Sequence, residues 1–224
     1  MKKQKPGIRS WVCLLASVVL AGCASQGGGS GFLKDYSNLS EDTQRSGARF
    51  YQNPQMYIGE YGKLFIEPLE VSVRGKKKGQ ELDKEELRKL KVKFYVALTD
   101  AVKDKYQVVD KPGPGVVRVR TSIANLKEKK STKQDYSSST LKSMIIVDGI
   151  LLEAEFLDAV SSERLAAFVD NKAGQRLGFS EAINKWGDVD QAMGYWADLL
   201  VEALDKAHNK PQAPAAAPAV NASI

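Results

Sequence analysis

Cysteine is nearly missing from this chain. Its 224 residues hold two, Cys13 and Cys23, both near the start. Everything beyond residue 23 therefore lacks a disulfide framework and thiolate metal ligands. Histidine is scarcer still. His208 stands alone, so no HExxH or clustered-histidine zinc site can form, and a Ser-His-Asp triad would depend on one residue near a helix end. The 18 glycines form neither GxGxxG nor a Walker loop. An excess of one charge sign is also lacking. Four of the 33 Lys and Arg residues, and none of the 27 acids, fall in residues 1–22, so the net charge of +6 drops to +2 beyond them. The basic pI is mostly a property of the N-terminus and implies no nucleic-acid partner. No long apolar run is present. The run from Trp11 to Ala21 is too short to span a bilayer, which needs roughly 20 residues.

What is there begins with that run. Lys2, Lys3, Lys5 and Arg9 precede it, and Leu20-Ala21-Gly22-Cys23 closes it. A basic flank, a short apolar stretch and small residues before a cut are the parts of a secretory signal. The Leu-Ala-Gly-Cys order resembles the bacterial lipobox, which implies lipidation of the Cys23 thiol and cleavage before it. A thiol suits this step because it is a good nucleophile at neutral pH. Each buried CH₂ contributes about 0.8 kcal/mol, so two or three acyl chains hold firmly where one holds marginally. Residues 1–22 are then a signal peptide, and Cys23 anchors the chain to a lipid bilayer. By the same resemblance Ala24, where Asp would favour inner-membrane retention, implies the outer membrane with the domain facing the periplasm. A Gram-positive cell surface is the alternative.

Residues 23–31 are Ser/Gly-rich and read as a flexible tether. Phe32 to Leu39 has four bulky apolar positions without a period and reads as an extended arm packed on the domain, with a partner-binding motif as the alternative; Arg49 to Tyr57 is expected to continue it. Tyr61 to Val73 reads as the first core strand, bent at Pro68. Asp83 and Glu86 form a capping-box pattern that starts a helix running to Lys105. Leu87, Leu90, Phe94, Ala97, Leu98, Ala101 and Val102 form its buried stripe, with Lys and Arg opposite. Tyr106 to Asp110 is a short strand. Val117, Val119, Thr121 and Ile123 alternate with Arg118, Arg120 and Ser122 along the next. Those two arginines read as a solvated outer face, with a carboxylate or phosphate site as the alternative. Lys127 to Thr140 is expected to be a long loop or flap. Strands follow at Met144–Val147 and Ile150–Asp158, joined through Asp148-Gly149 as a turn or a bulge, and then at Glu163–Asp170. Asp188 to His208 is the closing helix. The Pro/Ala-rich residues 209–224 are expected to be disordered.

The opening Phe32-Leu33-x-Asp35-Tyr36-Ser37-x-Leu39, following a lipobox, resembles an uncharacterised bacterial lipoprotein family known only as a domain of unknown function. The paired segments Leu152–Asp158 and Leu165–Asp170 fit the same family. One departure is the turn Val160-Ser161-Ser162-Glu163, where the family pattern implies Thr-Gly. The resemblance would cover roughly residues 32–208 and implies no activity, cofactor or catalytic residue.

Together these readings predict one α+β domain over residues 32–208: a mostly antiparallel sheet with two amphipathic helices on one face, preceded by an extended N-terminal arm. At the level of fold this looks like the small periplasmic modules of TolB N-terminal domains and CsgG-type secretion lipoproteins. The tightest acidic group is Glu153, Glu155 and Asp158. Glu153 and Glu155 lie two apart and share a strand face, so they are expected to pair with Arg118, Arg120 or Arg164. Their alternative role is a hydrolytic carboxylate pair. No catalytic, cofactor or metal residue is assigned, and Cys23 is the one named site. The functional expectation is a membrane-anchored, non-enzymatic binding or assembly module with a protein partner in the envelope. The alternatives are a hydrolase of envelope glycan or peptide, and a periplasmic carrier of lipid or sugar.

Overall fold

The computed structural model describes residues 28–73, 83–130, 140–147, 149–178 and 182–209. Cys23, the lipobox, most of the tether, the centre of the expected flap and the Pro/Ala-rich tail lie outside these residues.

The order is β1 (Ser40–Glu41), β2 (Ala48–Gln52), β3 (Lys63–Ile66), β4 (Glu70–Val73), α1 (Lys84–Val102), β5 (Gln107–Val108), β6 (Val116–Lys130), β7 (Thr140–Ile146), β8 (Leu151–Asp158), β9 (Arg164–Asp170), β10 (Ala182–Lys185) and α2 (Trp186–Asn209). The main sheet runs β1-β2-β9-β8-β6-β3-β5. Pairing is antiparallel from β1 to β6 and parallel where β3 meets β5 and β6. The fold is therefore α+β, as expected.

Period-2 alternation splits the sheet into two faces. Val117, Val119 and Ile123 of β6, with Leu152, Ala154 and Phe156 of β8, enter the main core together with α1 and α2. Asp83 accepts hydrogen bonds from the Glu85 and Glu86 amides and caps α1. Leu90, Phe94, Leu98 and Val102 of α1 are buried, as are the Val189, Met193, Trp196, Leu200 and Leu204 positions of α2. Among the described residues, Leu64, Leu98, Phe156 and Leu204 border a void of about 10 Å³ between sheet and helices.

Several elements differ from the sequence reading. Arg49 to Tyr57 does not extend the arm, because β2 pairs with β9 from Ala48↔Asp170 to Gln52↔Ala166. The strand expected over Tyr61–Val73 is two, β3 and β4, both parallel to β6. The break at Glu67-Pro68 follows from the missing proline N–H. The expected loop from Lys127 begins as strand, since Lys127–Lys130 pairs with β7. β6 moves from β8 to β7 at Asn125, whose φ of 62° sits where the β4–β6 register shifts. Asn tolerates this left-handed bulge better than most residues. Of the Asp148-Gly149 link, Asp148 lies outside the described residues; beyond it Ile150 N donates to Val147 O at 3.2 Å. Among the described residues β7 and β8 form no hairpin, because β7 pairs with β6 and β10. Gly174 packs against Val147, where a Cβ would come within 1.7 Å of Val147 O.

The β8–β9 turn explains the departure at Val160–Glu163. Asp158 Oδ1 accepts from the Val160 and Ser161 amides at 3.0 and 2.6 Å. Ser162 then adopts φ 61°, a left-handed position that costs an L-residue about 1 kcal/mol or more. Ser162→Gly should therefore raise the melting temperature by about 2–4 °C, measured by thermal denaturation. Tyr61 donates to Asp158 Oδ2 at 2.9 Å. Burial, and then that hydrogen bond, pushes the Tyr61 phenol up to about 12. An unfolded phenol ionises near 10, so the unfolded state releases its proton first as pH rises. Stability is thus retained below pH 10 and lost as pH climbs through about 12. Urea midpoints followed into this range should fall less steeply in Tyr61→Phe than in the parent chain.

Candidate functional site

The other sheet face is built by the alternate residues: Arg118, Arg120, Ser122 and Ala124 on β6, and Leu151, Glu153, Glu155 and Leu157 on β8. In the β6–β8 register Arg120 lies opposite Glu155, and Ser122 opposite Glu153. The N-terminal arm crosses this face. Leu33 is its buried peg, packed with Ala124, Leu151, Ala167 and Val169 in a second, smaller core that Phe32, Tyr36, Leu39 and Tyr51 complete.

Two glutamates fasten the arm. Glu153 is fully buried. Its carboxylate accepts from the Ser30 amide at 3.2 Å, from the Ser30 hydroxyl and from the Tyr36 hydroxyl at 2.7 Å. The same Tyr36 oxygen accepts from the Gly31 and Leu33 amides at 3.0 and 3.1 Å. One phenol thus organises the arm's backbone and passes it to the sheet. Burial, with the Glu153 hydrogen bond second, raises the Tyr36 pKa. Glu155 takes Arg120 at 2.6 Å and Arg164 at 2.6 and 2.8 Å. Arg164 in turn donates to the Asp35 carbonyl at 2.8 Å. Arg120 lies 4.8 Å from the Phe32 ring centroid, a cation–π contact.

This geometry assigns most of the opening octapeptide. Phe32 faces Arg120 and Leu33 fills the small core. Asp35 turns the chain through the Ser37 amide at 2.8 Å, and Tyr36 is the relay.

The expected salt bridge is present for Glu155, to Arg120 and Arg164. For Glu153 it is not. The residue opposite it is Ser122, so among the described residues no arginine pairs with it, and the arm supplies its donors instead. The sequence reading of the arm as apolar pegs carries no signal for these polar contacts. As a hydrolytic pair the two carboxylates are covered: Glu153 lies under Ser30 and Tyr36, and Glu155 between two guanidinium groups. Arg118 and Arg120 do not form a solvated outer face. Their side chains are 27% and 20% exposed, with Arg118 Nε 2.9 Å and Arg120 Nε 3.5 Å from Glu67. The reading as a solvated strand missed the arm that covers it.

Beside the arm a cleft of about 380 Å³ opens over the sheet. Arg118, Arg120, Glu155 and Arg164 form its floor, and Lys34, Asp35 and Asn38 of the arm its wall, with Tyr51 between them. Four cations line it against two carboxylates. Arg120 and Arg164 spend their donors on Glu155, Glu67, Glu70 and Asp35. Arg118 is the least committed: beyond Glu67 it makes only a 3.5 Å contact with Ser162 among the described residues. Such a cleft can receive a small anionic group through a guanidinium, an ammonium and a phenol.

Elsewhere, His208 does not face a serine. Its Nδ1 lies 2.9 Å from Leu204 O and its Nε2 3.0 Å from Tyr61 O, so it ties the end of α2 to the segment just before β3. Among the described residues no three His, Cys, Asp or Glu side chains cluster as metal ligands. No helix among them is long and apolar enough to cross a membrane.

A family model described as a protein of unknown function, DUF3313, matches residues 29–200. The chain belongs to the DUF3313 family. The DUF3313 match begins one residue before Ser30, so the docked arm lies within the family unit. No curated protein sequence matches this chain. Among solved structures, the PelC dodecamer from Paraburkholderia phytofirmans is 6% identical, with 70% of this chain and 95% of that chain covered and a TM-score of 0.35. A homolog of neuraminyllactose-binding hemagglutinin from Helicobacter pylori is 12% identical, covering 66% and 85%, with a TM-score of 0.36. Both are distant from this DUF3313 protein in sequence and in shape.

Proposed function

We propose that this DUF3313 protein is a membrane-anchored, non-enzymatic binding module of the bacterial envelope. It is tethered to the outer membrane through acylated Cys23 and presents the arginine-lined cleft to a small anionic group. The observation that carries the reading is the cleft, whose lining has two more cations than carboxylates and whose Arg118 retains donor capacity. Its volume of about 380 Å³ lies within the usual range for ligand sites.

The tether is shorter than its composition implies. Glu153 pins Ser30, and seven residues from Cys23 span at most about 25 Å. The arm-bearing face is thus held within that reach of the lipid anchor.

Calorimetric titration with inorganic phosphate and with glucuronate tests the cleft. At least one probe should bind with a dissociation constant of about 1 mM or tighter, and Arg118→Gln should weaken it at least about tenfold. Absence of binding by both probes, or equal binding by Arg118→Gln, would overturn the ligand seat. The anchor has its own test. Palmitate should label the chain and be lost in Cys23→Ala; label persisting in that variant would refute it.

A further inference from the structure

The face of α1 turned away from the core does not match its sequence reading as a Lys/Arg face. At its centre Val92, Tyr95 and Val96 are 49%, 41% and 51% exposed. Charged pairs flank this apolar patch at both ends of the helix. Glu85 and Arg88 lie 2.6 Å apart on one side, and Asp100 and Lys103 3.3 Å apart on the other, all four well exposed. From N- to C-terminus the outer stripe reads acid, base, Val, Val, acid, base.

That order is self-complementary when reversed. A second α1 running antiparallel, registered at the level of Phe94, places Glu85 opposite Lys103, Arg88 opposite Asp100 and Val92 opposite Val96. The two-fold operator repeats each contact, as an isologous interface requires. At 3.6 residues per turn these six positions fall on one side of the helix, opposite Leu90, Phe94 and Leu98. A parallel copy in the same register would instead set Glu85 against Glu85 and Arg88 against Arg88.

We propose that the exposed face of α1 is a homodimer interface, and that its occupant is α1 of a second copy of this chain. A 19-residue helix is about 28 Å long and offers less than the roughly 800 Å² per partner of a standard interface. The dimer is therefore weak in solution and strengthened where anchoring confines both copies to one membrane. The arm and its cleft lie on the opposite sheet face and stay open in the pair.

Sedimentation equilibrium of the full chain in mild detergent, up to about 300 μM, tests the assignment. The parent chain should show a monomer–dimer equilibrium that weakens with salt. Arg88→Glu sets like charges opposite Asp100 twice and should weaken dimerisation about tenfold. Adding Asp100→Arg to it should restore the parent affinity. Arg88 and Asp100 are surface residues, and unchanged far-UV circular dichroism confirms that the variants fold. A parent chain that stays monomeric throughout would overturn the proposal. So would a dimer indifferent to Arg88→Glu, or one that the charge-swapped double variant fails to restore.

Discussion

Glu155→Lys should cost at least about 4 kcal/mol of folding free energy, a large part of the roughly 5–15 kcal/mol that holds a domain together. The Glu155 side chain is 6% exposed and bonds two guanidinium groups. Arg120 has Glu67 and Glu70 to fall back on. Among the described residues Arg164 retains only the Asp35 carbonyl. A lysine there would place a third cation against both, in the middle of β8 and out of water. Breaking one partner of a buried charge pair strands the other, and here it strands two. Chemical denaturation should show a large fall in midpoint, and Glu155→Gln should fall between the two. Unchanged stability and sheet content in Glu155→Lys would mean that these contacts do not hold the sheet face.

Glu153→Ala should remove about 3 kcal/mol, chiefly by releasing the arm. Three donors converge on this carboxylate, and hydrogen bonds to a charged group are worth about 1.5–3 kcal/mol each before the cost of desolvating it is set against them. Without them Ser30 and Tyr36 regain water, Leu33 loses its site, and Leu151 and Val169 become exposed. Tyr36→Phe should cost less, about 1 kcal/mol, because Glu153 keeps Ser30. The double variant should cost less than the sum, since both act on one network. Thermal denaturation of the four chains reads this coupling. Additive effects would place Tyr36 and Glu153 in separate interactions.

Much of the architecture is legible in the sequence because burial imposes a period. The stripes of both helices, the alternation of Val117 to Ile123 and the Asp83 cap each carry a local signal. What periodicity cannot supply is the partner across space. Glu153 and Glu155 are equivalent in sequence, two apart on one strand. They diverge because β6 presents Arg120 to one and Ser122 to the other, and because the chain returns Ser30 and Tyr36 from far upstream to the second. Parallel pairing of β3 and β4 with β6 was invisible for the same reason. β2 was missed because Phe50, Tyr51, Pro54 and Tyr57 look like irregular pegs until β9 supplies a register. The cleft exists only where the arm meets β6, β8 and β9, so no segment announces it. The outer face of α1 was misread as basic because lysines outnumber the three apolar residues that occupy its centre.

The central claim is that the acidic pair of β8 holds the N-terminal arm on the sheet, and so builds the cleft beside it. Hydrogen exchange of the Leu33 amide tests this most directly, because it bonds the Tyr36 hydroxyl that Glu153 accepts. In the parent chain Leu33 should exchange slowly. In Glu153→Gln it should exchange at least about tenfold faster while the amides of α1 and α2 keep their protection. Rapid exchange at Leu33 in the parent chain, or protection untouched by Glu153→Gln, would contradict the account.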